Sequence, residues 1–165
     1  MGLHILDEKN YAAAIRAGEV KDPDLTSQDI TRCCGFRASL LRAQQVPNAQ
    51  NIYKAGFDLL NILIKCKARF TQPEWEESFK QLGRIAKFAM QAPGADKDAE
   101  VQAFAGYVTV LMCTEVSCND KPHYIRAWKW FNQAAALGHE EAQENITLMR
   151  KNLGSYLFPN LPQPG

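Results

Sequence analysis

The sequence predicts an all-α protein of about seven helices folded as antiparallel hairpins, and three observations carry that expectation. Breakers at Gly18, Pro23, Pro47, Pro73, the APGADKD stretch and Gly138 divide the 165 residues into apolar-periodic runs of helical length, with no convincing strand. Within residues 127–143, AWKWFNQAAALGHEEAQ, the side chains of Trp130, Ala134, Ala127, Gly138, Phe131, Ala135 and Trp128 fall within roughly 160° of a helical wheel. Alanine and glycine there let a second helix backbone come close while the aromatics fill the space beside the contact. Finally, 46% apolar and 22% charged residues are ordinary for one globular domain with a sizeable core.

The elements follow in order. A first helix, about Asp7–Ala17, stops at Gly18; Pro23 bars continuation through KDPDLTSQ, and Thr26 or Ser27 caps the next helix. The second runs to about Val46, with Ile30, Cys33, Cys34, Leu40 and Leu41 at three- and four-residue spacing, and Pro47 with Asn48 ends it. The third, about Ala49–Phe70, carries Ile52, Phe57, Leu59, Leu60, Ile62, Leu63 and Ile64, apolar around so much of its circumference that a central position covered on two sides is expected. The fourth follows Thr71, with Pro73 at a favourable first position, Glu74, Glu76 and Glu77 near the positive helix end, and a buried edge of Trp75, Phe79, Leu82, Ala86 and Ala89. The fifth shows Val101, Phe104, Ala105, Val108, Leu111 and Met112 on one face, and Gly138 separates the sixth from the seventh. Residues 1–153 therefore read as a single domain: N-terminal capping helices over 1–46, one hairpin over 49–91 and another over 97–152. A Pro-rich tail, 154–165, follows, in which Tyr156, Leu157 and Phe158 can fold back on the last hairpin.

The strip from Ala127 to Gln143 resembles a Sel-one-like repeat, a relative of the tetratricopeptide repeat, whose pattern is roughly A-x-x-W-[YF]-x-x-A-A-x-x-G-[HDN]-x-x-A-Q. Ala127, Trp130, Phe131, Ala134, Ala135, Gly138, His139, Ala142 and Gln143 occupy those positions. Ala99, Ala103, Gly106, Tyr107 and Leu111 resemble the first helix of the same unit, so the resemblance covers residues 99–152. It implies a short right-handed α-solenoid of stacked hairpins, a repeat-packing role for Ala127, Trp130, Phe131, Ala134, Ala135, Gly138 and Ala142, and protein binding without chemistry. The family's Gly-rich turn is replaced here by TEVSCNDKP, Thr114–Pro122. Residues 49–91 resemble a divergent copy lacking the Ala-Ala-x-x-Gly signature. Arrays of this kind need about three units or dedicated caps, because each hairpin alone leaves a face uncovered.

Charge narrows the partners. The net charge of +1 argues against broad attraction to nucleic acid or membranes, but residues 32–87 carry ten Lys/Arg against four Asp/Glu, a net of +6. Such a basic middle either forms solvated helix faces or steers an acidic protein partner. No stretch reaches the ~18 apolar residues that span a bilayer, and MGLHIL is too short for a signal peptide's apolar core. A cytoplasmic location is expected, or a periplasmic one if a leader has been removed. Five cysteines, an odd number, with Cys33, Cys66 and Cys113 at apolar helix positions, suit reduced thiols; a Cys113–Cys118 bridge stays open, since some secreted members of the resembled family are disulfide-bonded.

No catalytic constellation, cofactor site or small-molecule site emerges. His139-Glu140-Glu141-Ala142-Gln143 departs from the zinc-protease helix motif at its fifth position, and Cys113, Cys118 and His123 lack both knuckle spacing and a fourth ligand. Four residues stand out as partner-binding candidates. Arg37 falls within the second helix's apolar arc, where a guanidinium needs a partner: either an internal one or a carboxylate from a bound protein. Trp75, Tyr107 and Trp128 are aromatic anchors or core residues, with Tyr107 and Trp128 at arc edges. The expected function is a non-catalytic adaptor; the alternative is a bacterial immunity or inhibitor protein that blocks an acidic-surfaced toxin or effector.

Overall fold

The helix boundaries at Asn48, Thr71, Asp98, Gly138 and His139 trace to local signals. The computed structural model describes residues 27–65, 67, 70–116 and 120–157, and all regular structure among them is helical. The elements are α1 (Ser27–Gln45), α2 (Ala49–Lys65), α3 (Gln72–Gln91), a 3-10 turn (Ala95–Lys97), α4 (Ala99–Glu115), α5 (Asp120–Ala136) and α6 (Glu140–Leu157). The helix expected at Asp7–Ala17 lies outside the described residues, as do Cys66, Cys118 and the chain beyond Leu157.

Pro47 stops α1, and Asn48 starts α2 by accepting the Asn51 N–H through Oδ1 at 2.8 Å. Thr71 opens α3 with a capping box: the Glu74 N–H donates to Thr71 Oγ1 while the Thr71 N–H donates to Glu74 Oε1. Pro73 sits in the first turn, where no helical donor is lost. Asp98 caps α4 through the Val101 N–H. At the end of α5, Gly138 adopts φ +92°, and the His139 and Gly138 N–H groups donate to the Ala134 and Ala135 carbonyls, a Schellman closure that needs a residue at ease in the left-handed region.

Each helix packs mainly on the helices before and after it in the chain. Neighbours run antiparallel: the Ala49 N–H at the start of α2 donates to Pro93 O beyond α3, Trp75 at the start of α3 meets Glu115 at the end of α4, and Glu100 at the start of α4 meets His139 beyond α5. One core cluster joins Phe36 of α1, Leu59, Ile62 and Leu63 of α2, Phe79, Leu82 and Ala86 of α3, and Phe104, Ala105 and Val108 of α4. A second joins Ala103 of α4 with Ala127, Phe131 and Ala134 of α5 and Ala142 and Met149 of α6.

The enclosed helix is therefore α4, which feeds both clusters and buries Val101 through Gly106 without interruption. The segment from Ala49 is covered on two sides, as expected, by α1 and α3, but it is not buried all round. In α2, Phe57 and Ile64 are 40% and 57% exposed, and the helix ends at Lys65, leaving Phe70 to pack edge-on against Trp75. Leu59, Leu60, Ile62 and Leu63 are buried, while Ile52 and Phe57 line clefts and Ile64 is exposed. At the other end, α6 continues to Leu157, past the expected boundary at 153.

A tight approach joins α4 and α5. A Cβ placed on Gly106 would stand 2.9 Å from Phe131 Cε1 and 3.0 Å from two more atoms of the same ring, so the glycine is what seats the phenyl group. Gly106→Ala should lower stability by about 1 kcal/mol, overpacking of about 1–3 kcal/mol outweighing the roughly 1 kcal/mol gain in helix propensity. Gly35→Ala, in a helix with nothing within 4 Å of the new methyl, should raise it by up to about 1 kcal/mol. Urea midpoints moving in opposite directions at constant slope would show this; equal shifts would mean the Phe131 ring gives way.

Candidate protein-binding surface

Tyr107 is the expected anchor that reaches the surface in a concave setting. It is 45% exposed on α4 and borders a cleft of 190 Å³ walled by Tyr53 and Phe57 of α2, Glu100 of α4, and Glu141 and Asn145 of α6. Three alternate helices thus flank one cleft. The aromatic wall is built by edge-on contacts: Tyr53 meets Phe104 at 5.0 Å between ring centroids and 70°, and Phe57 lies 6.1 Å from Tyr53 and 6.4 Å from Phe104. Because Phe104 is buried, the exposed ring of Phe57 rests on a fixed base, while Tyr107 borders the same cleft from α4.

The polar side of the cleft is set by His139. Its Nδ1 accepts the Ala142 N–H at 3.2 Å, so the imidazole serves as N-cap of α6, while Nε2 lies 3.2 Å from Glu100 Oε1. With Nδ1 accepting, Nε2 carries the proton and donates to the carboxylate. Tyr53 ionises above its ordinary range because burial disfavours the phenolate, and the carboxylates of Glu100 and Asp98 add to that cost. Asp98 is itself held by Gln50, whose Nε2 donates to Oδ2 at 2.8 Å. The surface therefore combines exposed aromatic area with acceptors and negative charge.

The other three candidates do not join Tyr107. Trp75 is 8% exposed within the first core cluster, edge-on to Phe79 at 4.9 Å, and its indole N–H donates to Glu115 Oε2 at 3.0 Å. With ring and N–H both engaged inside, it is a core residue, which corrects its place among the surface anchors. Trp128 is half-buried on the second cluster, with the Arg150 guanidinium 5.9 Å from its ring, and does not line the Tyr107 cleft. Arg37 is half-buried, and its Nε has no hydrogen-bond partner among the described residues. Its helix does line a groove: Leu40, Ala43 and Gln44 border an apolar cleft of 590 Å³ with Ile52, Ile85 and Phe88, but Arg37 is not part of that lining.

Of the expected packing strip, Ala127, Phe131, Ala134 and Ala142 are buried in the second cluster, and Ala135 packs beside it half-buried. Trp130 turns the other way and packs half-buried on the first cluster, so the strip bridges the two cores. Gly138 is corrected: it is exposed, with nothing within 4 Å of where a Cβ would stand, and its work is the left-handed turn rather than a notch for another helix. Phe57 and His139 are cleft residues that sequence reasoning assigned elsewhere, Phe57 to a generally buried helix and His139 to a turn. A signal for His139 was present, since it precedes Glu140 and Glu141 by the spacing of an N-cap before an acidic first turn. Among the described residues, no group of three or more His, Cys, Asp or Glu side chains is placed to hold a metal ion, and no helix is long and apolar enough to cross a membrane. Cys113 is buried near the end of α4. Comparison with known protein families, curated proteins and solved structures finds no match to this chain.

Two outcomes are expected from this geometry. His139→Ala should cost about 1 kcal/mol by exposing the first turn of α6, whereas His139→Asn, which keeps an acceptor at the cap, should restore most of it; thermal melts of the two variants decide. Tyr53 has a folded-state pKa above its ordinary 10.0, so its neutral form contributes stability that is complete below that value and is lost as pH rises through the folded pKa. Denaturation across this alkaline range should show a loss in the wild type whose Tyr53 component is missing in Tyr53→Phe; superimposable curves would mean that the phenol is solvated.

Proposed function

We propose that the protein is a non-catalytic binding module: a short helical-repeat array, with residues 99–152 as a Sel-one-like unit, that grips a protein partner in the cleft between α2, α4 and α6. The observation that carries this reading is the pair Phe57 and Tyr107, two exposed aromatic rings at the edge of that cleft, Phe57 backed by the buried Phe104. Exposed aromatics on a rigid base give large contact area at small entropic cost, which is how interface anchors act. Packing that passes from each helix to the next supports a repeat array, and the flanking of one cleft by alternate helices supports a shared inner face. The α4–α5 hairpin supports the Sel-one-like assignment, because Gly106 and Phe131, both within the resembling residues, make its closest contact.

A narrower form of the same reading is an immunity or inhibitor protein that occludes a toxin or effector. The cationic stretch over residues 32–87 favours it, since it would meet an acidic active-site rim. A cytoplasmic location accompanies either form.

The reading is tested by capturing partners from source lysate with the wild-type chain and with Tyr107→Ala and Phe57→Ala, then titrating the captured protein. Each truncation should weaken binding at least tenfold, a loss of about 1.4 kcal/mol, with the helical spectrum unchanged. Equal affinity in all three proteins would remove the Tyr107 cleft as the binding surface.

A further inference from the structure

On the side of α3 away from the Tyr107 cleft, the basic middle of the sequence converges on one place. Lys80, Arg84 and Lys87 follow one another at four- and three-residue steps and so share a single stripe of α3. Opposite them stand His123 and Arg126 of α5, and the five basic side chains flank a cleft of 340 Å³. Its floor is Gly83, Met112 and Val116. Gly83 keeps the stripe low: the Met112 thioether sulfur sits 2.6 Å from where a Cβ would stand, so the methionine is drawn up beneath the cations. Among the described residues, no carboxylate lines the cleft. The adjoining ion pair, Glu77 with Arg84 at 3.5 Å, has both side chains more than half exposed, where solvent screens it, so it offsets little of the local positive field. None of these lining residues belongs to the Tyr107 cleft.

Four permanent cations gathered around one depression repel one another, and a counter-anion relieves that repulsion. The geometry selects among anions. Lys80 and Lys87 are seven residues apart, about 10 Å along the helix, too far for one phosphate to bridge but matched to carboxylates spread over a peptide. Among the described residues no Phe, Tyr or Trp lines the cleft to give nucleic-acid bases a stacking platform, and the chain outside residues 32–87 is net negative and would repel a long polyanion. The floor of Met112 and Val116 is apolar, and methionine adapts its shape to whatever aliphatic or aromatic group is laid on it.

We propose that the cleft between α3 and α5 is a docking site for an acidic segment of a partner protein, with carboxylates paired to Lys80, Lys87 and Arg126 and one apolar side chain seated on Met112 and Val116. This deepens the binding-module reading by giving the partner a chemistry and a second contact face.

The test uses the full chain and a fluorescein-labelled peptide bearing glutamates at one-turn spacing on either side of a leucine, read by anisotropy. Wild type should bind it, and binding should fall as salt shortens the screening length. The double variant Lys80→Glu with Lys87→Glu, whose positions are exposed and leave the core intact, should bind at least tenfold more weakly with an unchanged circular dichroism spectrum. Replacing the peptide's glutamates by glutamine should abolish binding, and replacing its leucine by serine should weaken it. No binding, or binding indifferent to the lysine pair or to the glutamates, overturns the proposal. Inorganic pyrophosphate or oligo-dT competing more strongly than the unlabelled peptide overturns the choice of a protein segment. Tighter peptide binding after Asp22→Asn with Asp24→Asn overturns the choice of a partner, because the chain's own acidic start would then be the occupant. Tyr107→Ala separates the two readings: it should leave peptide binding unchanged while weakening the captured partner, so a partner indifferent to Tyr107→Ala with peptide binding intact defeats only the module's proposed groove, and a partner lost in Tyr107→Ala with no peptide binding in the wild type defeats only this cleft.

Discussion

The structure hinges on Phe131 lying across the backbone of α4 at Gly106. That contact brings α4 and α5 closer than side chains of ordinary size permit, and the closeness has consequences on both sides of α4. Toward α6, it leaves Ala103, Ala127, Ala134 and Ala142 as the filling of a thin core that larger residues would wedge apart. Toward α3, the opposite flank of α4 is free to present Phe104, Ala105 and Val108 to a bulkier core. One helix thus divides the protein into a layer packed by small residues and a layer packed by large ones. Trp130, which leaves the small-residue strip to reach the large-residue cluster, ties the two together.

Polar groups set the angles that this packing leaves open. Ser39 Oγ donates to Asp58, which also pairs with Lys54 at 3.4 Å, and so links α1 to α2 within a partly buried contact. Gln102, 1% exposed, donates from Nε2 to Ala95 O at 2.8 Å and fastens the 3-10 turn to α4, which holds the linker after α3 against the core. The indole of Trp75 does the same for the far ends of α3 and α4 through Glu115. These bonds decide how the antiparallel helices are turned, and hence which residues of α2, α4 and α6 come to face the Tyr107 cleft.

Much of this was legible in the sequence because it is local. Helix class, the stops at Pro47 and Gly138, the start at Thr71 and the buried edge Trp75, Phe79, Leu82, Ala86 and Ala89 depend on residues within a few turns of one another, where periodicity and capping chemistry act directly. The assignment of the enclosed helix was not legible. The third segment and α4 are both apolar on several sides and both lie between two helices; what separates them is the unbroken buried run from Val101 to Gly106 in α4, which the tertiary packing on both faces decides. The same limit explains the site residues. Trp75 and Tyr107 are both aromatics at helical spacing, and what parts them is a carboxylate forty residues away that accepts from one indole, and an adjacent helix that stops short of covering one phenol. Gly138 fits both a packing notch and a left-handed turn on sequence grounds, and its positive φ decides between them.

Because each helix leans chiefly on its immediate neighbours in the chain, most of the order can be assembled through short loops, with little entropy spent on closing long ones. The same layout isolates the last helix. α6 rests mainly on α5, through Ala142 and Met149 with Ile146 and Leu153 at the edge of the cluster, and takes no part in the bulky cluster around Leu59 and Leu82. Glu141 and Asn145 border the Tyr107 cleft from this last helix, so the width of the cleft depends on how firmly the terminal helix stays seated.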